Sequence, residues 1–174
     1  MKRKSSFIKK SIRVPLFIVE GYTEENYIKI LRIVFQKNVS VLNCRGGGAH
    51  SVLLLSDKII GDEDGYYSSF VIIYDADTDN PRYDNLRTKL SASKNAKVLI
   101  LDPCFENWLL LHLSQKKVEK TNKCDKCIAK LKKSIPNYEK DDFQLLGKYV
   151  KSETFTQACN SQPEIGNILK EYFF

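Results

Sequence analysis

Nowhere among its 174 residues does the chain carry G-x-x-x-x-G-K-S/T or G-x-G-x-x-G, so it brings no ATPase phosphate loop and no dinucleotide fingerprint of its own. No apolar run approaches the roughly 20 residues that span a bilayer. The opening MKRKSSFIKKS has no apolar stretch behind its basic residues, so neither a membrane segment nor a secretory signal is expected. Eight glycines and five prolines form no linker that would divide the chain into comparable halves, and one domain is the default. Five cysteines, an odd number scattered from Cys44 to Cys159, make no disulfide framework and fit a reducing compartment. A cytoplasmic location is the expectation. Cys124 and Cys127 form the only C-x-x-C, and neither Cys104, Cys159 nor the two histidines adds a second close pair in sequence. Structural zinc is therefore not expected.

What the chain has is basic charge around a few well-placed acids. The net charge is +7, as suits a protein that meets polyanions. Six of the first thirteen residues are Lys or Arg, a tail that fits a nucleic-acid partner or simple solvation equally well. The most informative stretch is FVIIYDADTD, Phe70 to Asp79. Its apolar run reads as a strand buried on both faces of a parallel sheet. If the backbone stays extended past it, Asp75 and Asp77 point the same way, and two repelling carboxylates there suit a hard divalent ion such as Mg2+ or Mn2+. The competing reading is a solvated acidic turn after a core strand.

Val14–Val19 is another apolar run, with Pro15 at its entry and Glu20-Gly21 at its end. Thr23 is placed to cap a following helix whose first turn holds Glu24 and Glu25. The stripe Tyr27, Leu31, Val34, Phe35 faces inward and carries Glu24 with it toward Glu20, while Glu25 turns away. Val39–Leu42 is a short strand that stops at Arg45-Gly46-Gly47-Gly48, a weak candidate for phosphate contact by backbone amides at the start of a helix over Ala49–Ile60. Gly61–Gly65 reads as a polar turn. A helix over Arg82–Leu90 and a strand over Lys97–Leu101 complete four strands alternating with helices, a pattern that predicts a parallel α/β sheet with ligands at the carboxyl ends of its strands.

Asp102-Pro103 reads as the cap and first position of a helix, CFENWLLLHL, that is apolar almost all round. Glu106 inside it needs a partner: a metal, a metal-bound water or a lysine. His112 orients a phosphate or water, or else is a hydrogen-bonded core residue. From Ser114 the composition turns lysine-rich, then helical near Phe143–Val150 and from Pro163 onward, which predicts a helical appendage packed on the sheet. Lys148 is the lysine singled out there as a partner for the site.

The combination VEGYTEENY (Val19–Tyr27), a Gly-rich turn, IIYDADTD (Ile72–Asp79) and DPCFENWLLLHL (Asp102–Leu113) resembles the RloB family of prokaryotic defence-associated proteins. A strand ending in Glu20 and a later strand ending in Asp75-x-Asp77 resemble the broader Toprim domain of topoisomerases, primases and overcoming-lysogenization-defect nucleases. One departure is Asp102, where the family pattern has asparagine. The resemblance implies a Toprim-like fold with a basic tail (1–12), a catalytic core (13–113) and a helical extension (114–174). It implies a divalent-metal nuclease or phosphodiesterase that cuts DNA or RNA. Glu20, Asp75 and Asp77 would be its metal ligands, and Glu24 and Glu106 would take second-site or water-orienting roles. Any ATP-driven control would have to come from a partner ATPase. Two rivals stand beside this reading. A haloacid-dehalogenase-type phosphatase would have Thr or Val where this chain has Asp79. The other rival is a binding or assembly module that keeps the fold without the chemistry.

Overall fold

A computed structural model describes residues 13–62, 66–113 and 123–174. The basic tail, residues 63–65 of the polar turn and the lysine-rich stretch 114–122 lie outside the described residues. The order is β1 (Val14–Val19), α1 (Tyr22–Val34), β2 (Ser40–Asn43), α2 (Gly48–Asp62), β3 (Tyr67–Asp75), α3 (Asp84–Ala92), β4 (Ala96–Leu101) and α4 (Phe105–Leu113). Four more helices follow: α5 (Cys124–Ser134), α6 (Phe143–Tyr149), α7 (Ser152–Ser161) and α8 (Pro163–Phe173). The sheet is all parallel with strand order β2-β1-β3-β4. None of the described helices is long and apolar enough to cross a membrane.

The two-residue period of the strands divides the interior into two cores. Phe17, Val19, Val71, Ile73, Leu99 and Leu101 face one way and pack with α1, α4 and the C-terminal helices. Leu16, Ile18, Phe70, Ile72 and Tyr74 face the other way, against α2 and α3. This double burial is why the strands read as continuous apolar runs. Phe17 meets Tyr172 edge-on at 5.3 Å, so the last helix belongs to the same core as the first strand. At Gly166 an added Cβ would stand 2.4 Å from the Cys159 Cα, and the close approach of α7 and α8 depends on that glycine.

The strand order also fixes where a crevice opens. The chain leaves β1 for β2 on one side and later crosses back to β3 on the other. The carboxyl ends of β1 and β3 are therefore the topological switch point, where ligands bind in open α/β sheets.

Three local expectations fail, each for a visible reason. Thr23 does not cap α1: Gly21 takes that position, and Thr23 lies inside the helix with its hydroxyl donating to the Lys140 carbonyl at 3.1 Å. Asp102 and Pro103 do not open α4, which starts at Phe105. The Phe105 N–H donates instead to the Asp75 carboxylate at 2.8 Å, so a neighbouring strand's acid does the capping. The backbone beyond Asp75 is not extended, because Ala76–Thr78 turns into a 3-10 helix with the Asp77 N–H bonded to the Pro103 carbonyl at 3.1 Å.

Candidate carboxylate site at the switch point

Val19 pairs with Ile73 across the central strands, so Glu20, just after β1, and Asp75, the last residue of β3, emerge at the same edge. The Glu20 carboxylate accepts from the Asp75 N–H at 3.2 Å and lies 3.1 Å from the Thr78 hydroxyl. That hydroxyl is also 3.0 Å from the Asp75 carbonyl and accepts from the Ala49 N–H at the start of α2. One threonine thus joins two strand ends to a helix.

Glu24, one turn into α1, is buried, as the inward stripe predicts, and so is Asp75. The Asp77 side chain, carried out by the 3-10 turn, is exposed. Burial pushes the Glu24 carboxyl up to about 7, with the charges of Glu106 and Glu20 adding to the rise. Burial likewise drives Asp75 up to about 9, helped by Glu24, Glu20 and Glu106. Glu20 and Asp77 move the same way, again chiefly through lost hydration. These acids are crowded enough to resist ionising together.

Two cations answer them around a cavity of about 280 Å³ lined by Glu20, Glu24, Asp75, Arg45 and Lys140. Lys140 is the residue that the sequence does not announce. Its Nζ lies 3.0 Å from Glu106 Oε1, and Glu106 is only 1 % exposed. Burial alone would lower the Lys140 ammonium, but the Glu106 charge beside it holds it above its ordinary value. The lysine is positioned by α1: Thr23 holds its carbonyl, and Asn26 donates to the next carbonyl, that of Asp141, at 3.1 Å. The one sequence signal is that buried Glu106 demands a cation; which lysine supplies it depends on a loop beyond Pro136.

The other sequence candidates are distributed more widely. Lys148 is exposed on α6 and makes no ion pair among the described residues, so Lys140, not Lys148, meets Glu106. His112 is buried between the Tyr27 hydroxyl at 3.0 Å and the Thr154 hydroxyl at 3.2 Å. Burial pushes its imidazole down to about 3, so it is neutral and hydrogen-bonded in the core. Arg45, Gly46, Gly47 and Gly48 run through four consecutive positive φ angles, from 57° to 91°, a path that favours glycine. The N–H of Arg45 donates to Asn43 and that of Gly46 to the Glu20 carbonyl. The first holds the turn to the end of β2 and the second ties it to the end of β1, while Arg45 and Gly46 still border the cavity.

The donor types fit a hard divalent ion: carboxylate oxygens only, at a strand edge, with more acid than base. Their spacing is looser than the sequence pattern suggests. Among the described residues, the one trio whose ligand atoms all lie within 4.8 Å of one another is Cys104, Glu106 and Cys124. Glu20, Asp75 and Asp77 are not gathered to that degree, because backbone N–H groups hold Glu20 and Asp75 and the 3-10 turn carries Asp77 outward.

Neither a curated protein nor a solved structure matches the chain. A family model described as RloB-like protein matches residues 16–166, a span that includes both strand ends, Glu106 and Lys140. On that match the chain belongs to the RloB-like protein family.

Proposed function

We propose that this protein is a divalent-metal-dependent nuclease of Toprim type that hydrolyses phosphodiester bonds in DNA or RNA. The observation that carries the proposal is the crowding of Glu20, Glu24 and Asp75, all with raised pKa values, around one cavity at the switch point of a parallel sheet. Glu20, Asp75 and Asp77 are the residues that would hold the ion, with Glu24 beside them. When bound, a magnesium or manganese ion supplies Lewis acidity and an activated water for phosphoryl chemistry. The chain's own residues do the rest. Lys140 and Arg45 draw and orient the phosphate, and Glu106 fixes the Lys140 ammonium at the cavity wall. The net charge of +7 and the exposed Lys126, Lys130, Lys132 and Lys133 of α5 attract the polyanion away from the acids.

The family resemblance supports a cytoplasmic role in prokaryotic antiviral defence, with any ATPase supplied by a partner. The looser spacing of Glu20, Asp75 and Asp77 favours a second reading, a nucleic-acid-binding or assembly module without chemistry. Incubation with labelled DNA and RNA plus manganese separates the two. Metal-dependent cleavage that disappears in Asp77→Ala supports the nuclease, whereas polymer binding without cleavage in the native chain supports the module.

A further inference from the structure

The C-x-x-C of Cys124 and Cys127 has no second close pair in sequence, but the fold provides what the spacing does not. Cys104, immediately before α4, comes against the start of α5, where Cys124 is the first residue. The ligand atoms of Cys104, Glu106 and Cys124 all lie within 4.8 Å of one another. Cys127, one helical turn beyond Cys124, is buried in the same core as Cys104 but lies outside this close group. Cys104 and Cys124 are free thiols, Cys104 and Glu106 are buried, and Cys124 is partly shielded from solvent.

We propose that Cys104, Cys124 and Glu106, with a water in the fourth position, form a tetrahedral site for a thiophilic divalent cation of the zinc class, separate from the oxygen-only carboxylate cavity. Three arguments carry it. The first is distance: tetrahedral zinc with S and O ligands separates a sulfur from an oxygen by about 3.5 Å and two sulfurs by about 3.8 Å. Cys124 Sγ already stands 3.6 Å from Glu106 Oε2. The second is charge. Two thiolates and the Glu106 carboxylate would be balanced by one divalent ion together with Lys140, whose ammonium faces the other Glu106 oxygen. The third is chemistry, since sulfur donors select zinc-class ions over magnesium, which keeps the two sites distinct. On binding, the thiols release their protons to solvent and no redox change is involved. The ion would clamp the start of α5 to the start of α4 and fix Glu106 toward Lys140.

The inference does not depend on nuclease activity, and its test reads the metal directly. The full chain, reduced and stripped of metal, is titrated with cobalt(II) and then zinc while the visible and near-ultraviolet spectrum is followed. The expected result is a thiolate-to-cobalt charge-transfer band that saturates at about one ion per chain and is abolished by zinc. Cys124→Ser, chosen because Cys124 is the least buried of these cysteines, should weaken zinc binding by about 10–100-fold or more. Cys44→Ser and Asp75→Asn should leave the band intact. A native chain that binds cobalt without the band, or a band that survives both Cys104→Ser and Cys124→Ser, overturns the site. Because the native spectrum alone can do so, a variant that fails to fold does not shield the proposal.

Discussion

Two clusters of metal-type ligands meet at Glu106, and they differ in where their donors come from. The carboxylate cavity takes its acids from two strand ends and the first turn of α1, and it is open, oxygen-only and electrostatically strained. The sulfur cluster takes its donors from the starts of two packed helices, and it is compact and largely closed. Strand ends at a switch point leave space for a ligand, whereas helix starts packed together close around theirs. An active site needs the first arrangement and a structural ion the second.

The sharpest way to break this comparison is to remove an acid from the open cavity. Asp75→Asn keeps an oxygen to accept the Phe105 N–H but removes a charge from the candidate ion site. Manganese-dependent cleavage should fall by at least the roughly 10–100-fold that losing even a supporting group costs. A fluorogenic cleavage assay checks this, and undiminished activity would move the chemistry elsewhere.

The same substitution should act oppositely on stability without metal, and the sign follows from the raised pKa values. The folded protein holds protons on Glu24 and Asp75 at pH values where the unfolded chain has released them. That contribution is complete below the ordinary carboxylate range and is lost as pH rises toward about 7 for Glu24 and about 9 for Asp75. In chelator, stability should therefore fall as pH rises across this window, by up to about 1.4 kcal/mol per pH unit for each group, and Tm should fall with it. Asp75→Asn should flatten the slope and raise Tm at the alkaline end. Melts across a pH series with a flat native profile would show that these acids are better solvated than their burial implies.

Much of this architecture is legible in the sequence, and the gaps share one cause. The apolar runs of β1, β3 and β4 mark buried strands, and the Tyr27–Leu31 stripe turns Glu24 inward as observed. Glu106 stands out because an acid amid Phe105, Trp108, Leu109 and Leu110 has no cheap way to be buried. Periodicity cannot say which distant segment answers a local demand. The capping of α4 by Asp75, the pairing of Glu106 with Lys140 and the arrival of Cys104 beside Cys124 are all tertiary contacts. Local grammar instead favoured Asp102 as the cap and Lys148 as the cation, and it left Cys104 apart from Cys124.

Lys140→Met probes the border between the clusters. It leaves the buried Glu106 without its ion pair, but Lys140 itself is more than half exposed, so solvent softens the loss to about 1–3 kcal/mol. Adding Glu106→Gln should recover part of it, as denaturant melts of the double variant would reveal. Equal destabilisation in the single and double variants would mean that the pair contributes nothing.

The smallest effect is expected at Thr23, and it tests how the lysine is held. If Thr23 were a helix cap, its removal would weaken α1 alone, independently of Lys140. In the structure its hydroxyl instead donates to the Lys140 carbonyl, tying the loop that carries the ammonium to the helix that carries Glu24. Thr23→Val preserves shape and removes one hydrogen bond, for a cost of about 1 kcal/mol. The decisive measurement is the double-mutant cycle with Lys140→Met. Once the loop is released, the Glu106 pair is already loosened, so the double variant should lose less than the sum of the two single losses, by about 0.5 kcal/mol or more. Strict additivity would mean that Lys140 finds Glu106 without the anchor and that the contact with α1 only closes the surface.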